Sequence, residues 1–467
     1  MVPFFPHQIA NRALLAYSFS LALVTMLFFS HAMPWLYIVL GIVLVAAFFV
    51  LSSKWSISWE RMNTEQFAQK LFGVALLIRI VWVIASYYYY IETTGIPFDK
   101  DASDALAYHG DAGWMSRAPW SRGWDYLFGG GDGVSDAGYP LYLSIIYRIF
   151  GQLTLVPRII KALLGAWTAV LVYKLSSRTF GESTGRIAGL MCALMPNLII
   201  YCGYHLKEIE MIFIEVAFLE SMDYLLRIKK YNVLNIMVPM LLAGSLFLFR
   251  TVLGLAAIFA FATSTLLSAS PTMKKGWKRT AIIGWSIVTV GLVAGGTVMT
   301  EIEDMWESRS SNVVQKRNDQ FKKGNKWAKY ATGSIMAPMI VALPFSTMIE
   351  IEGQENQMTK HGGNFVRNFM AFFAILAMYE AIRQKKWRDF ALIGSFTLAY
   401  LGVVSTSGFS NSERFLLPGL PGLIMMWAYG ISQLNAKTYR YLKPWFFIVV
   451  FMEVGWAYFK LGSRGMF

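Results

Sequence analysis

Apolar runs long enough to cross a bilayer recur from one end of this sequence to the other, and they leave few folds open. Many extend for about 17 to 21 residues, the length a helix needs to cover the hydrocarbon core. A membrane barrel would instead need alternating strands of about ten residues, and these runs are continuous. With 15% charged residues and 56% apolar ones, the chain is far from a soluble domain, which carries about 25% charge. The expected fold class is an all-α polytopic membrane protein, folded as a single transmembrane domain over 1–467. The spans are expected at roughly 12–30, 34–51, 71–91, 156–175, 185–203, 207–226, 232–249, 251–269, 281–299, 364–382, 389–407, 414–432 and 444–461, about 13 in all.

The formal net charge is +14. In a soluble protein that would suggest nucleic acid as a partner. Here Lys and Arg gather in short loops (174–186, 227–230, 274–279, 383–388 and 437–443), the mark of a cytoplasmic side, and nucleic acid is set aside. This orientation puts the N-terminus inside and the C-terminus outside. The first apolar run lacks a small-residue cleavage site and is read as a retained span. Cys192 and Cys202 share one apolar run, so no disulfide framework is expected.

Two long loops then fall outside. The first, 92–155, has eight acids against three bases between Glu92 and Ala137. Its last part, 138–151, would reach only about 21 Å as a helix, too short to span comfortably, so surface-lying helices are expected there. Trp114, Trp120 and Trp124 suit an interface. The second loop, 300–363, has an apolar middle interrupted by Pro338 and Pro344, which predicts a re-entrant or surface helix.

Three constellations could carry chemistry, all at outer span ends. Asp99, Asp101, Asp104, Tyr108, His109 and Asp111 crowd the start of the first loop. If 101–112 is helical, Asp101, Asp104, Tyr108 and Asp111 line one face. Asp101 also suits a helix N-cap. A carboxylate here could orient or deprotonate a hydroxyl. Together with Glu208 it could instead hold a divalent cation, Mg or Mn. The second constellation, His205, Lys207, Glu208 and Glu210, packs ionisable groups at a membrane boundary, where they are costly unless paired or used. The third is Arg414, placed to grip a phosphate by paired hydrogen bonds, with Arg250 a weaker candidate of the same kind. A basic run from Lys316 to Lys329 could attract an anionic head group. The glycines at 129–133 have no following Lys-Ser/Thr, so they do not form a P-loop. No zinc-protease or nucleophile-elbow motif occurs either.

The segment Asp104-Ala-Leu-Ala-Tyr108-His109-Gly-Asp-Ala112 is similar to the D-x-x-x-Y-x-x-x-A pattern of the membrane-embedded GT-C glycosyltransferases. Gly203-Tyr-His-Leu-Lys-Glu208-Ile-Glu210 sits where that superfamily keeps its second acidic motif, although it lacks an Asp-x-Asp pair. The run from Gly138-Tyr-Pro140 through Arg158 to Gly181, and Arg414-Phe-Leu-Leu-Pro418-Gly-Leu-Pro421, also resemble segments of the group. It includes the dolichyl-phosphate-mannose protein mannosyltransferase-like family, the lipid A aminoarabinose transferases and the oligosaccharyltransferases.

The resemblance implies sugar transfer from a polyprenyl-phosphate donor, undecaprenyl in a bacterial inner membrane, on the periplasmic face and with inversion. Asp104 and Glu208 would be catalytic. Asp101, Tyr108, His109, His205, Lys207, Arg250 and Arg414 would bind substrate. The acceptor, whether glycan, lipid or protein, stays open. So do two other functions, an O-antigen-type polymerase or ligase using lipid pyrophosphates, and a lipid or sugar transporter.

Overall fold

The computed structural model describes residues 3–100, 102–129, 136–227, 232–267, 284, 339–406 and 412–466. Among these the chain is helical, with one isolated antiparallel bridge between Ala32 and Ile349. Eight helices are long and apolar enough to cross a membrane: His7–Leu27, Trp35–Ser58, Thr64–Thr94, Leu155–Phe180, Glu182–Gly203, Glu355–Arg383, Glu413–Ser432 and Ala436–Gly462.

The difference from thirteen expected spans has identifiable causes. Val233–Phe249, Thr251–Leu267 and Ala391–Thr406 are apolar but only 16 or 17 residues long. Helix Glu208–Arg227 has 20 residues, but Glu208, Glu210, Glu215, Glu220 and Asp223 interrupt its apolar character. The expected span 281–299 lies outside the described residues, except Gly284.

The first two helices are α1 (His7–Leu27) and α2 (Trp35–Ala46), the second running on through a π-turn into α3 (Ser52–Ser58). The next, α4 (Thr64–Thr94), begins where Asn63 accepts from the backbone N–H of Gln66, which satisfies a free donor of the first turn. It stops at Gly95, whose φ of +76° is the left-handed ending that glycine permits. That stop releases the chain into the acidic loop.

The loop carries three helices, α5 (Ser103–Arg117), α6 (Trp120–Gly129) and α7 (Gly138–Phe150), none long enough to span. The side of α7 bearing Tyr139, Leu143 and Tyr147 is buried, while Ile145, Ile149 and Phe150 are exposed.

Next come α8 (Leu155–Phe180), α9 (Glu182–Leu194) and α10 (Pro196–Gly203). Pro196 has no N–H and interrupts the hydrogen-bond ladder between α9 and α10. The exposed carbonyls of Cys192 and Ala193 are taken by Arg79 of α4, at 3.2 and 3.0 Å. A fully buried arginine thus bridges the joint between α9 and α10. Gly203 lets α10 end against α4, because a Cβ there would lie 2.5 Å from Ser86 Oγ and 2.9 Å from Trp82 Nε1. Both cysteines are buried and free.

The remaining elements are α11 (Glu208–Arg227), α12 (Val233–Phe249), α13 (Thr251–Leu267), α14 (Glu355–Arg383), α15 (Ala391–Thr406), α16 (Glu413–Leu416), α17 (Leu420–Ser432), α18 (Ala436–Tyr439) and α19 (Leu442–Gly462). Of the second loop, 300–338 lie outside the described residues; the described part enters α14 at Glu355, and residues 343–354 form no helix. Leu343, Phe345, Met348 and Ile349 are buried. Asn368 of α14 donates to the carbonyls of Ala342 and Pro344, so side-chain amides do the work a helix ladder would do.

The basic segments share one end of the bundle. Arg186 donates to the carbonyls of Trp59, Glu60 and Met62. Arg178 pairs with Glu220 and Asp223, and Asp223 also takes Arg227. Lys386 lines a small cavity with Thr179 and Phe180. Phe5 donates to Ser56, and Arg12 lies over the Tyr439 ring. The acidic loop and the turns at 203–208, 250 and 412–416 meet at the other end.

Candidate functional site

Arg414 stands at the centre of that other end. Pro418 and Pro421 break the local helix into α16, a 3-10 turn at Leu417–Gly419, and α17. The break sends consecutive side chains to different partners. Glu413 accepts from Asn197 and lies 3.4 Å from Lys360 Nζ. Arg414 donates from Nε to Glu208 and from Nη1 to Asp104, and its Nη2 is 3.4 Å from the Tyr108 hydroxyl. Asp104 and Tyr108 are one turn apart on α5, which lets a single guanidinium reach both.

The two carboxylates have unlike surroundings. Glu208 opens α11 and its side chain is fully buried, whereas the Asp104 side chain is 54% exposed. Glu208 Oε1 is taken by Arg414, and Oε2 has no hydrogen-bond partner. A second guanidinium, Arg250, lies 3.9 Å from Glu208. It is held by the Tyr400 hydroxyl at 3.0 Å and by the Phe415 ring at 4.5 Å. Tyr400 in turn donates to the Phe415 carbonyl at 2.8 Å. Lys207 donates to Asp136 and, at 2.5 Å, to the Phe249 carbonyl.

The turn that delivers Glu208 is held from below. Lys161 of α8 is fully buried and donates to the carbonyls of Tyr204 and Leu206, at 2.7 and 2.5 Å. It also lies 3.8 Å from Glu210. A buried ammonium is costly unless its protons are matched, and here they fix the backbone on both sides of His205. Beside it runs a chain of polar side chains, with His109 Nδ1 2.7 Å from the Tyr147 hydroxyl and that hydroxyl 3.1 Å from His205 Nε2. Burial, then the nearby cations Lys161 and Arg158, push His205 well below the usual histidine range. Burial, then Arg158, lowers His109. Both rings are therefore neutral at pH 7. Burial raises the Tyr108 hydroxyl, with Arg414 opposing.

The structure thus brings Asp104, Glu208, Tyr108, Arg414 and Arg250 together, with Lys207 within electrostatic reach of Arg250, Arg414 and Asp104. His109 and His205 form the adjoining chain rather than facing Arg414. Asp101 lies outside the described residues, as does the run from Lys316 to Lys329. Helix α5 begins at Ser103, with Ala102 before it. Asp99 accepts from Asn356 at 2.7 Å, tying the loop to α14, and Asp111 accepts from Tyr126 of α6 at 3.0 Å. Among the described residues no three His, Cys, Asp or Glu side chains converge, and the Arg414 guanidinium lies between Asp104 and Glu208.

Sequence reasoning missed Lys161, Tyr400, Lys360, Glu413 and Asp136. Lys161 had a signal, since Arg158 and Lys161 are cations one turn apart inside an apolar run. A cavity of about 560 Å³ lies at the basic end, lined by Glu65, Lys174, Arg178 and Glu182 among others. Arg178 and Glu182 there already have ionic partners, and the convergent polar groups favour the Arg414 end instead.

Fold and site define an all-helical protein with apolar, membrane-length helices and a buried charge cluster at one end. The chain matches no protein-family model, no curated protein and no solved structure among those compared.

Proposed function

We propose that the protein is a membrane glycosyltransferase of the GT-C type that takes sugar from a polyprenyl-phosphate donor. The donor would be undecaprenyl-linked, in a bacterial inner membrane, with the charge cluster on the periplasmic face. The observation that carries this reading is the Arg414 guanidinium bridging one exposed and one buried carboxylate, with two more cations alongside.

In this reading the exposed Asp104 accepts the proton of the acceptor hydroxyl. The hydroxyl oxygen bonds to the anomeric carbon as the bond from that carbon to the phosphate oxygen breaks, with inversion. The free Oε2 of Glu208 accepts a hydrogen bond from a substrate hydroxyl. The departing polyprenyl phosphate goes from one negative charge toward two, and Arg414, Arg250 and Lys207 stabilise the charge that develops. The lipid tail lies against the exposed apolar faces of the spans and needs no polar contact there.

The test is reconstitution in nanodiscs with undecaprenyl-phosphate sugars and envelope acceptors, with released undecaprenyl phosphate followed by mass spectrometry. No release with any sugar or acceptor from the native envelope would overturn the reading. The concentration of cations also suits a lipid-pyrophosphate polymerase or ligase. That alternative expects Arg414→Ala to abolish turnover while Asp104→Ala leaves most of it, whereas the proposal expects both to lose it.

A further inference from the structure

Two pairs at the site share one layout. Arg414 is 19% exposed and Lys207 only 3%, yet the aspartates that reach them, Asp104 and Asp136, are 54% and 61% exposed. The cations are fixed by partners outside the acidic loop. Arg414 is held by Glu208 and Lys207 by the Phe249 carbonyl. The aspartates come from the acidic loop, one in the first turn of α5 and one just before α7.

Charge points the same way. Arg414 and Arg250 share one buried acid, Glu208, and Lys207 precedes it in the chain. The two loop aspartates bring negative charge to Arg414 and Lys207. A phosphate monoester brings the same charge, and a guanidinium takes phosphate oxygens as readily as carboxylate oxygens.

We propose that Lys207 and Arg414 form a two-point phosphate site that Asp136 and Asp104 occupy as displaceable internal ligands. The ligand class is a lipid phosphate monoester. Its arrival takes over both cations, frees the two aspartates and loosens the loop that carries them. This rests on the transferase reading for the site's use, but not for its binding chemistry. It adds that the released polyprenyl phosphate, a monoester, would compete with Asp104 for Arg414, whereas the donor's phosphate is a singly charged diester.

The experiment measures binding, not turnover. Full-length protein in nanodiscs is titrated with geranylgeranyl phosphate, and separately with inorganic phosphate, by native mass spectrometry and competition. A closed internal ligand lowers apparent affinity by the fraction of open sites. Asp136→Asn and Asp104→Asn should each tighten geranylgeranyl phosphate by about tenfold, the factor for a latch closed about nine-tenths of the time. Lys207→Met and Arg414→Met should weaken it. If the site serves lipid phosphate, inorganic phosphate at the same concentration competes poorly. Inorganic phosphate binding as tightly would overturn the lipid assignment.

Unchanged or weaker lipid binding in either Asp→Asn variant would overturn the proposal. Hydrogen exchange on the unaltered protein covers the case of a variant that does not fold. Added geranylgeranyl phosphate should speed exchange in 103–117 and 138–142, and protection there would contradict displacement. Tightened binding with no sugar transfer would leave the phosphate site standing and remove only the transferase reading.

Discussion

Arg414 donates from Nε to Glu208 Oε1, joining residues 206 apart in sequence. The partner carboxylate is fully buried, so the pair cannot be broken without stranding a charge. Removing one partner of a buried pair costs about 3–5 kcal/mol. Arg414→Ala should therefore lower stability in detergent by that order. The double variant Arg414→Met, Glu208→Gln should recover part of it, because no uncompensated carboxylate is left. Thermal unfolding of the purified variants measures both, and equal loss in the single and double variants would contradict the pairing.

Lys161 should behave as a positioning residue. Lys161→Met leaves the carbonyls of Tyr204 and Leu206 without their donor and Glu210 without its cation. An unmet buried polar group costs about 1–3 kcal/mol. The variant should unfold earlier and also reposition the turn that delivers Glu208. Binding of geranylgeranyl phosphate should then weaken more than in Glu210→Gln, which keeps the lysine's backbone contacts. Equal binding in the two would show that Lys161 does not shape the site.

Stability should also depend on pH through His205 and His109. Their folded values are lowered from an ordinary 6.5. Between the folded and unfolded values the unfolded chain binds more protons, so stability rises with pH there. This contribution is fully present above pH 6.5 and lost as pH falls toward the folded values. The unaltered protein should melt earlier at about pH 5 than at about pH 7.5, and His205→Asn should flatten that difference. A slope that survives in both His205→Asn and His109→Asn would assign it elsewhere.

Gly203→Ala tests the packing under the same turn. A methyl group there meets Ser86 and Trp82 of α4. Overpacking of this kind costs about 1–3 kcal/mol. The variant should be less stable, and Ser86→Ala should relieve part of the loss. Full stability of Gly203→Ala would mean α10 is free to shift.

Sequence pattern was most informative where one residue type carried the signal. Apolar runs located most long helices, and the short 138–151 run was legible as a non-spanning helix from its length alone. The Arg and Lys asymmetry separated the basic end from the acidic end. Pattern failed where tertiary context decides. The buried, non-helical segment at 343–349 has no periodicity to reveal it. Asp104, Glu208 and Arg414 stood out because charge is scarce at span ends. Tyr400 was hidden, since a tyrosine in an apolar helix looks like ordinary packing.

The most direct test compares sugar transfer by the unaltered protein and Asp104→Asn, both folded and reconstituted with undecaprenyl-phosphate sugar. Losing a general base costs about 10²- to 10⁴-fold in rate. A loss of that order in undecaprenyl phosphate release is expected, with lipid phosphate binding retained or tightened. Turnover equal to the unaltered protein would contradict it.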